Sequence, residues 1–280
     1  MLINPILNRE VITLFRRPRT YFWISAYLAI LIFIIMSSWP GYNPFRDVID
    51  LIRASRYAAV GILCTMMALI FILLPSYMAT TFTREKEENT LSALAVTQLS
   101  MFDIIWGKIQ VGIFYTLYLI VITIPLFGAL YKLGGFALSE IIQGYIIILS
   151  ISIAVSLWAM FFSVISSTSY KAISRTYFFF FLLLFLLGLV TVFLHEIGLG
   201  YIFSSAYINP FMSIEAIFFG TYGGRYAAFN QNLSKYSSKN LILGFFYEET
   251  IKIAAFYTAI SLIFILLIIS FYRRLQHKWL

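Results

Sequence analysis

Six apolar stretches, each about twenty residues long and nearly free of charge in the middle, dictate what this chain can become. They run roughly over Tyr21–Trp39, Tyr57–Thr80, Lys108–Leu130, Glu140–Val164, Arg175–Leu194 and Thr250–Tyr272. At a rise of about 1.5 Å per residue, such lengths cross a hydrocarbon core of about 30 Å. Backbone N–H and C=O groups find no water at that depth, so each stretch must close its hydrogen bonds within a helix. A soluble alternative fails on composition: 61% of the 280 residues are hydrophobic and 11% are charged, too apolar for a domain of this size to bury. The expected fold is an all-α polytopic membrane protein with six transmembrane helices, forming a single domain over 1–280.

Orientation follows from the basic residues. Six spans put both termini on one side. The links on that side hold twelve Lys and Arg, against eight on the other. Arg9, Arg16, Arg17 and Arg19 crowd the start of the first span. Both termini are therefore expected in the cytoplasm. Most of the net charge of +8 then faces anionic inner-leaflet lipid, and no nucleic acid is needed to explain it. Cys64 is the sole cysteine, inside the second stretch, so neither a disulfide framework nor a thiolate metal cluster is expected. No small-residue cleavage site follows the first stretch, so a cleavable signal peptide is not expected either.

The links differ in kind. Over Asn4 to Arg17, Leu7, Val11, Leu14 and Phe15 share one helical face, while Arg9, Glu10, Thr13, Arg16 and Arg17 share the other. That pattern predicts an amphipathic helix lying in the interface over 1–20, ended where Pro18 disfavours helical geometry at Arg17. The link between the second and third spans, 81–106, is charged and amphipathic. Leu91, Leu94, Ala95 and Leu99 recur at helical spacing and predict a short helix too polar to cross. Ser100 and Asp103 have capping-box spacing, so the third span is expected to start near Met101. Gly107 is expected to permit close packing, and Lys108 to snorkel toward water. A basic, hydroxyl-rich turn, Ser166 to Arg175, joins the fourth and fifth spans. The external loop 195–249 contains Tyr207 to Gly220, apolar but only about fourteen residues long, which suits a re-entrant helix. Asn209 and Pro210 supply its N-cap and first turn.

Catalytic patterns are mostly absent. There is no G-x-x-x-x-G-K-[ST] loop for nucleotide phosphates. His195-Glu196 begins like a zinc H-E-x-x-H site, but Leu199 stands where the second histidine belongs. Glu248-Glu249 resembles the paired glutamates of some intramembrane proteases, yet Ile253 occupies the position of their arginine. An intramembrane enzyme using Glu248, Glu249 and His195 remains the alternative of a different class, and a non-transporting membrane anchor is a third. The spans lack buried carboxylates of the kind that ion-driven carriers use. Energy for transport would come from outside the chain.

The segment Phe82-Thr-Arg-Glu-Lys-Glu-Glu-Asn-Thr-Leu-Ser-Ala-Leu-Ala-Val-Thr-Gln-Leu-Ser100, followed by Gly107-Lys108, resembles the cytoplasmic loop of type 2 ATP-binding-cassette (ABC) exporter permeases. The family pattern there is approximately R-E-x-E-x-G-T-L-x-L-L-x-x-T-P-L-S, then G-K. Asn4-Pro5 with Arg9 and Glu10 is similar to the family's N-terminal interfacial helix. Asn89 replaces the usual glycine and Gln98 the usual proline. The resemblance implies a cytoplasmic coupling helix between spans 2 and 3 that docks on a separate nucleotide-binding ATPase subunit. Its contact residues would be Arg84, Glu85, Glu87, Glu88, Thr90, Leu91, Leu94 and Thr97. It also implies an exporter of the plasma (bacterial inner) membrane, paired with a second copy or a homologous permease. ATP and Mg would sit on the partner subunit, with no cofactor in this chain and no catalytic residue of its own.

Overall fold

The computed structural model describes residues 18–38, 48–89, 101–196, 209–219 and 239–279, and these are almost entirely helical, with no strand among them. The helices are α1 (Pro18–Ser38), α2 (Val48–Ala79), α3 (Thr81–Glu87), α4 (Met101–Tyr131), α5 (Leu138–Ile165), α6 (Ser169–Glu196), α7 (Pro210–Phe219) and α8 (Lys239–Trp279). Five stretches are long and apolar enough to cross a membrane: Asp50–Glu87, Ile104–Tyr131, Leu138–Ile165, Ser169–Val190 and Thr250–Phe271. The chain is thus an all-α membrane protein. The first expected span coincides with α1, whose apolar stretch Ile24–Ser38 is shorter than the others. The interfacial helix expected over 1–20, with Arg9, Glu10, Arg16 and Arg17, lies outside the described residues apart from its last positions. Pro18 opens α1, as a ring with no N–H can do at a first helical position.

α5 is the hub. It packs against α2, α3, α4, α6, α7 and α8, most extensively against α8. Its hydroxyls make this possible. Ser150, Ser152 and Ser156 each donate to a carbonyl of α5 itself, those of Ile146, Leu149 and Ser152. The side chains stay small and leave no polar atom unpaired in an apolar setting, so neighbouring backbones approach closely. A Cβ on Gly112 of α4 would lie 2.7 Å from Ser156 Oγ and 2.8 Å from Met78 Cε. A larger residue there would force Ser156 or Met78 aside where α2, α4 and α5 meet.

The two ends of the bundle are defined by polar contacts. At one end Arg56 of α2 pairs with Glu140 of α5 at 2.9 Å, and Ser55 donates to the carbonyl of Gly134 in the α4–α5 turn. Gly134 and Gly135 adopt φ of 78° and 100°, which residues with a Cβ rarely accept. At the other end α3, the start of α4 and the α5–α6 turn converge. α2 and α5 therefore run parallel, both from the Arg56–Glu140 end to the α3 end. Within α2, Pro75 deprives the Phe71 carbonyl of its helical donor, and the neighbouring Ile72 carbonyl accepts the hydroxyl of Tyr177 from α6.

α7 begins as its sequence predicts. Asn209 Oδ1 accepts the Phe211 N–H at 3.0 Å, and Pro210 takes the first helical position. Its face packs on α2 and α5. The Phe211 ring lies 5.7 Å from that of Phe71, well inside α2, and the Phe218 ring lies 6.2 Å from Phe136 in the α4–α5 turn.

Candidate functional site

The charged segment after the second span is where the structure gathers its polar contacts. After the single turn residue Thr80, the chain resumes as α3, burying Phe82 and Thr83. The first-turn N–H groups of a helix have no partner within it. Here Ser163 of α5 supplies one: its Oγ accepts the N–H of Phe82 at 2.9 Å and of Thr83 at 3.2 Å. A residue some eighty positions away acts as the N-cap. The Thr83 hydroxyl lies 3.2 Å from the Ala79 carbonyl, which accepts its proton, and 3.1 Å from Ser169 Oγ.

Three consecutive charged side chains then engage three different partners. Glu85 Oε1 accepts from Lys108 Nζ of α4 at 2.7 Å, and Lys108 also donates to the Thr81 carbonyl at 3.1 Å. The ammonium stands 4.7 Å over the Phe82 ring. The pair is largely withdrawn from water, with side-chain exposures of 8% for Lys108 and 22% for Glu85. Such a pair gains little net energy over an apolar substitute, but it fixes register, because removing either partner strands a charge. The expectation that Lys108 snorkels to water is corrected here: a carboxylate and a carbonyl reach it inside the bundle. Gly107 beside it is buried, as its small size suits.

Lys86 turns to the C-terminal end of α5. Its Nζ donates to the carbonyls of Ser163, Val164 and Ser166 at 3.3, 2.5 and 3.0 Å. These are the last-turn acceptors of a helix, where the backbone dipoles favour a cation. Glu87 turns to the first residue of α6. Its Oε1 accepts the Ser169 N–H at 2.7 Å and its Oε2 the Ser169 hydroxyl at 2.8 Å. That end of a helix favours an anion. One Lys-Glu pair thus complements both helix ends that meet at the turn.

The outward side of α3 carries Arg84 and Glu88, joined at 2.9 Å with exposures of 62% and 54%. An exposed i,i+4 pair of this kind contributes about 0.3–0.5 kcal/mol. The helix closes with the N–H of Asn89 donating to the Lys86 carbonyl at 3.2 Å. Asn89 has φ of 54°, the one non-glycine residue at positive φ among those described. Asparagine tolerates the left-handed region better than most residues, and glycine better still. The glycine-to-asparagine departure from the exporter pattern thus falls where either residue fits.

Of the predicted contact residues, the structure sets Arg84 and Glu88 on the outer side, buries most of Glu85 against α4, and engages Glu87 with α6 while leaving it exposed. Thr90, Leu91, Leu94 and Thr97 lie outside the described residues. The side chains of His195, Glu248 and Glu249 do so too. Among the described residues no three His, Cys, Asp or Glu side chains converge as metal ligands. Lys86, Ser163 and Ser169 were not singled out by sequence reasoning. The alternation of charge over Glu85, Lys86 and Glu87, set against the hydroxyl-rich turn from Ser166, was the available signal. No protein-family model matches the chain, and no curated protein shows significant similarity to it.

Proposed function

We propose that this chain is the membrane permease subunit of an ATP-driven exporter of the type 2 ABC kind. It takes up the work of ATP hydrolysis from a separate nucleotide-binding subunit at the segment 81–106. The observation that carries this reading is the anchoring of α3. A short charged helix exposed on one side is tied on the other to α4, α5 and α6, so force applied there reaches the spans rather than a loose loop.

In this reading Arg84 and Glu88, with Thr90, Leu91, Leu94 and Thr97, face the ATPase. Leucine side chains seat in its cleft and charges ring the rim. Glu85 and Glu87 border the contact and hold the helix to its own chain. α1 is the first of six spans, the N-terminal residues lie in the cytoplasmic interface, and both termini are cytoplasmic. The packing of Phe211 against Phe71, with Phe218 against Phe136, supports a re-entrant α7 that starts within the bundle and returns toward the outer side. A second permease completes the pathway in the plasma membrane, the inner membrane of a bacterium.

Affinity isolation of the full chain from its native membrane tests the proposal. An ATPase subunit is expected to copurify, and Leu91→Asp or Glu88→Lys is expected to release most of it. Isolation of the intact chain without any ATPase, or with undiminished yield in both variants, overturns the reading.

A further inference from the structure

The contacts of Lys86 and Glu87 have a property that the docking role does not require. Both residues point back into the chain and grip opposite ends of the same helical hairpin. Lys86 meets the carbonyls that end α5, and Glu87 meets the N–H and hydroxyl that begin α6. Ser163 closes the connection from the other direction by receiving two N–H groups of α3. Seven hydrogen bonds to charged or backbone groups at three points on a short helix leave it little freedom to swing about the turn.

We infer that Lys86 and Glu87 staple α3 to the α5–α6 hairpin so that the three move as one body. Displacement of α3 is then delivered to α5, the most buried helix, and to α6, in addition to the span that α3 continues. The two side chains are positioning residues for transmission and not members of the docking surface. The mechanical unit stands on the contacts alone, whereas its role in transmission rests on the exporter reading.

Thr83 and Ser169 offer a direct measure of the staple. Their hydroxyl oxygens lie 3.1 Å apart, so the two side chains touch, and the Ser169 N–H still holds Glu87 Oε1 when the hydroxyl is replaced. In a Cys64→Ala background, the full-length double variant Thr83→Cys/Ser169→Cys is oxidised in its native membranes with copper phenanthroline. Intramolecular cross-linking is followed by mass spectrometry. Near-complete cross-linking is expected, with the initial rate falling about tenfold when Lys86→Met and Glu87→Gln are added, because the charge-assisted bonds that hold the pair together are gone. Lys86→Arg with Glu87→Asp is expected to restore most of the rate. Should the Met/Gln variant fail to reach the membrane, Glu87→Gln alone, at an exposed site, gives the same comparison with a smaller decrease.

An unchanged rate without the charges, or no cross-link in the parent, overturns the staple. The copurifying ATPase supplies the second readout. It is expected to remain at full yield in Lys86→Met, and its loss would assign Lys86 to docking instead. Absence of any ATPase from the wild-type isolate would defeat the exporter reading while leaving the cross-linking rates to decide on the staple.

Discussion

α5 and α6 meet at one turn and are equal in length at 28 residues. Both are apolar enough to span a membrane, yet they occupy opposite situations. In the most apolar part of α5 72% of residues are buried, against 12% in α6. Hydrophobicity cannot account for the difference, since lipid chains are as apolar as a protein interior and give a helix no reason to leave them. Shape and small polar groups account for it. α5 brings serines that satisfy themselves and a surface low enough for other helices to approach. α6 presents Phe178, Phe181, Phe185 and Phe193, each more than 60% exposed, whose bulk holds neighbouring backbones away.

This contrast can be tested by moving bulk into each environment. Gly112→Leu, against Ser156 and Met78, is expected to lower stability by about 3 kcal/mol through overpacking. Gly188→Leu on α6, where an added Cβ meets nothing within 4 Å, is expected to change it by less than about 0.5 kcal/mol. Steric-trapping measurements in bicelles would read both, and equal costs would remove packing as the cause.

A smaller effect is expected at the hydroxyl that α5 lends to α3. Ser163→Ala leaves the buried N–H groups of Phe82 and Thr83 without their acceptor and should cost about 2 kcal/mol. Ser174→Ala, on the exposed side of α6, should fall within about 0.5 kcal/mol of the parent. Ser163→Thr, which keeps the acceptor oxygen, is expected to recover part of the loss in the same assay.

Phe185→Leu should leave stability within about 0.5 kcal/mol if lipid covers this face. A much larger loss, accompanied by copper-catalysed dimers of a Phe185→Cys variant, would show that a second copy of the chain packs on α6. Changes of opposite sign are expected at the end of α3. Asn89→Gly should stabilise by a few tenths of a kcal/mol, whereas Asn89→Val should cost about 1 kcal/mol, since its branched side chain resists positive φ. Thermal unfolding in detergent would resolve the opposite signs.

Much of the helix inventory was legible because the bilayer leaves a long apolar run no alternative. The Asn209-Pro210 start of α7 was legible because caps are local chemistry; the Ser100 cap expected before Met101 lies outside the described residues. The unequal fates of α5 and α6 were not, because burial in a membrane depends on which neighbours fit. The acidic cluster was legible as a polar segment at one end of the second span. The inward destinations of Glu85 and Glu87 were not: they depend on Lys108 and on Ser169, eighty-two positions from Glu87. Sign alternation announces that partners exist without saying where the fold brings them.

Pro75 gives the second span a lever. The twelve residues from it to Glu87, at about 1.5 Å each, form an arm of roughly 18 Å, so a bend of about ten degrees at the proline would carry the far end sideways by about 3 Å. That is more than the length of any hydrogen-bond adjustment and comparable to the spacing of the contacts themselves. The Tyr177 hydroxyl rests on Ile72, beside the fulcrum, so α6 meets this arm twice, at its pivot and at its tip. A helix lying mostly outside the packed bundle would therefore feel any such bend at two points of its inner half.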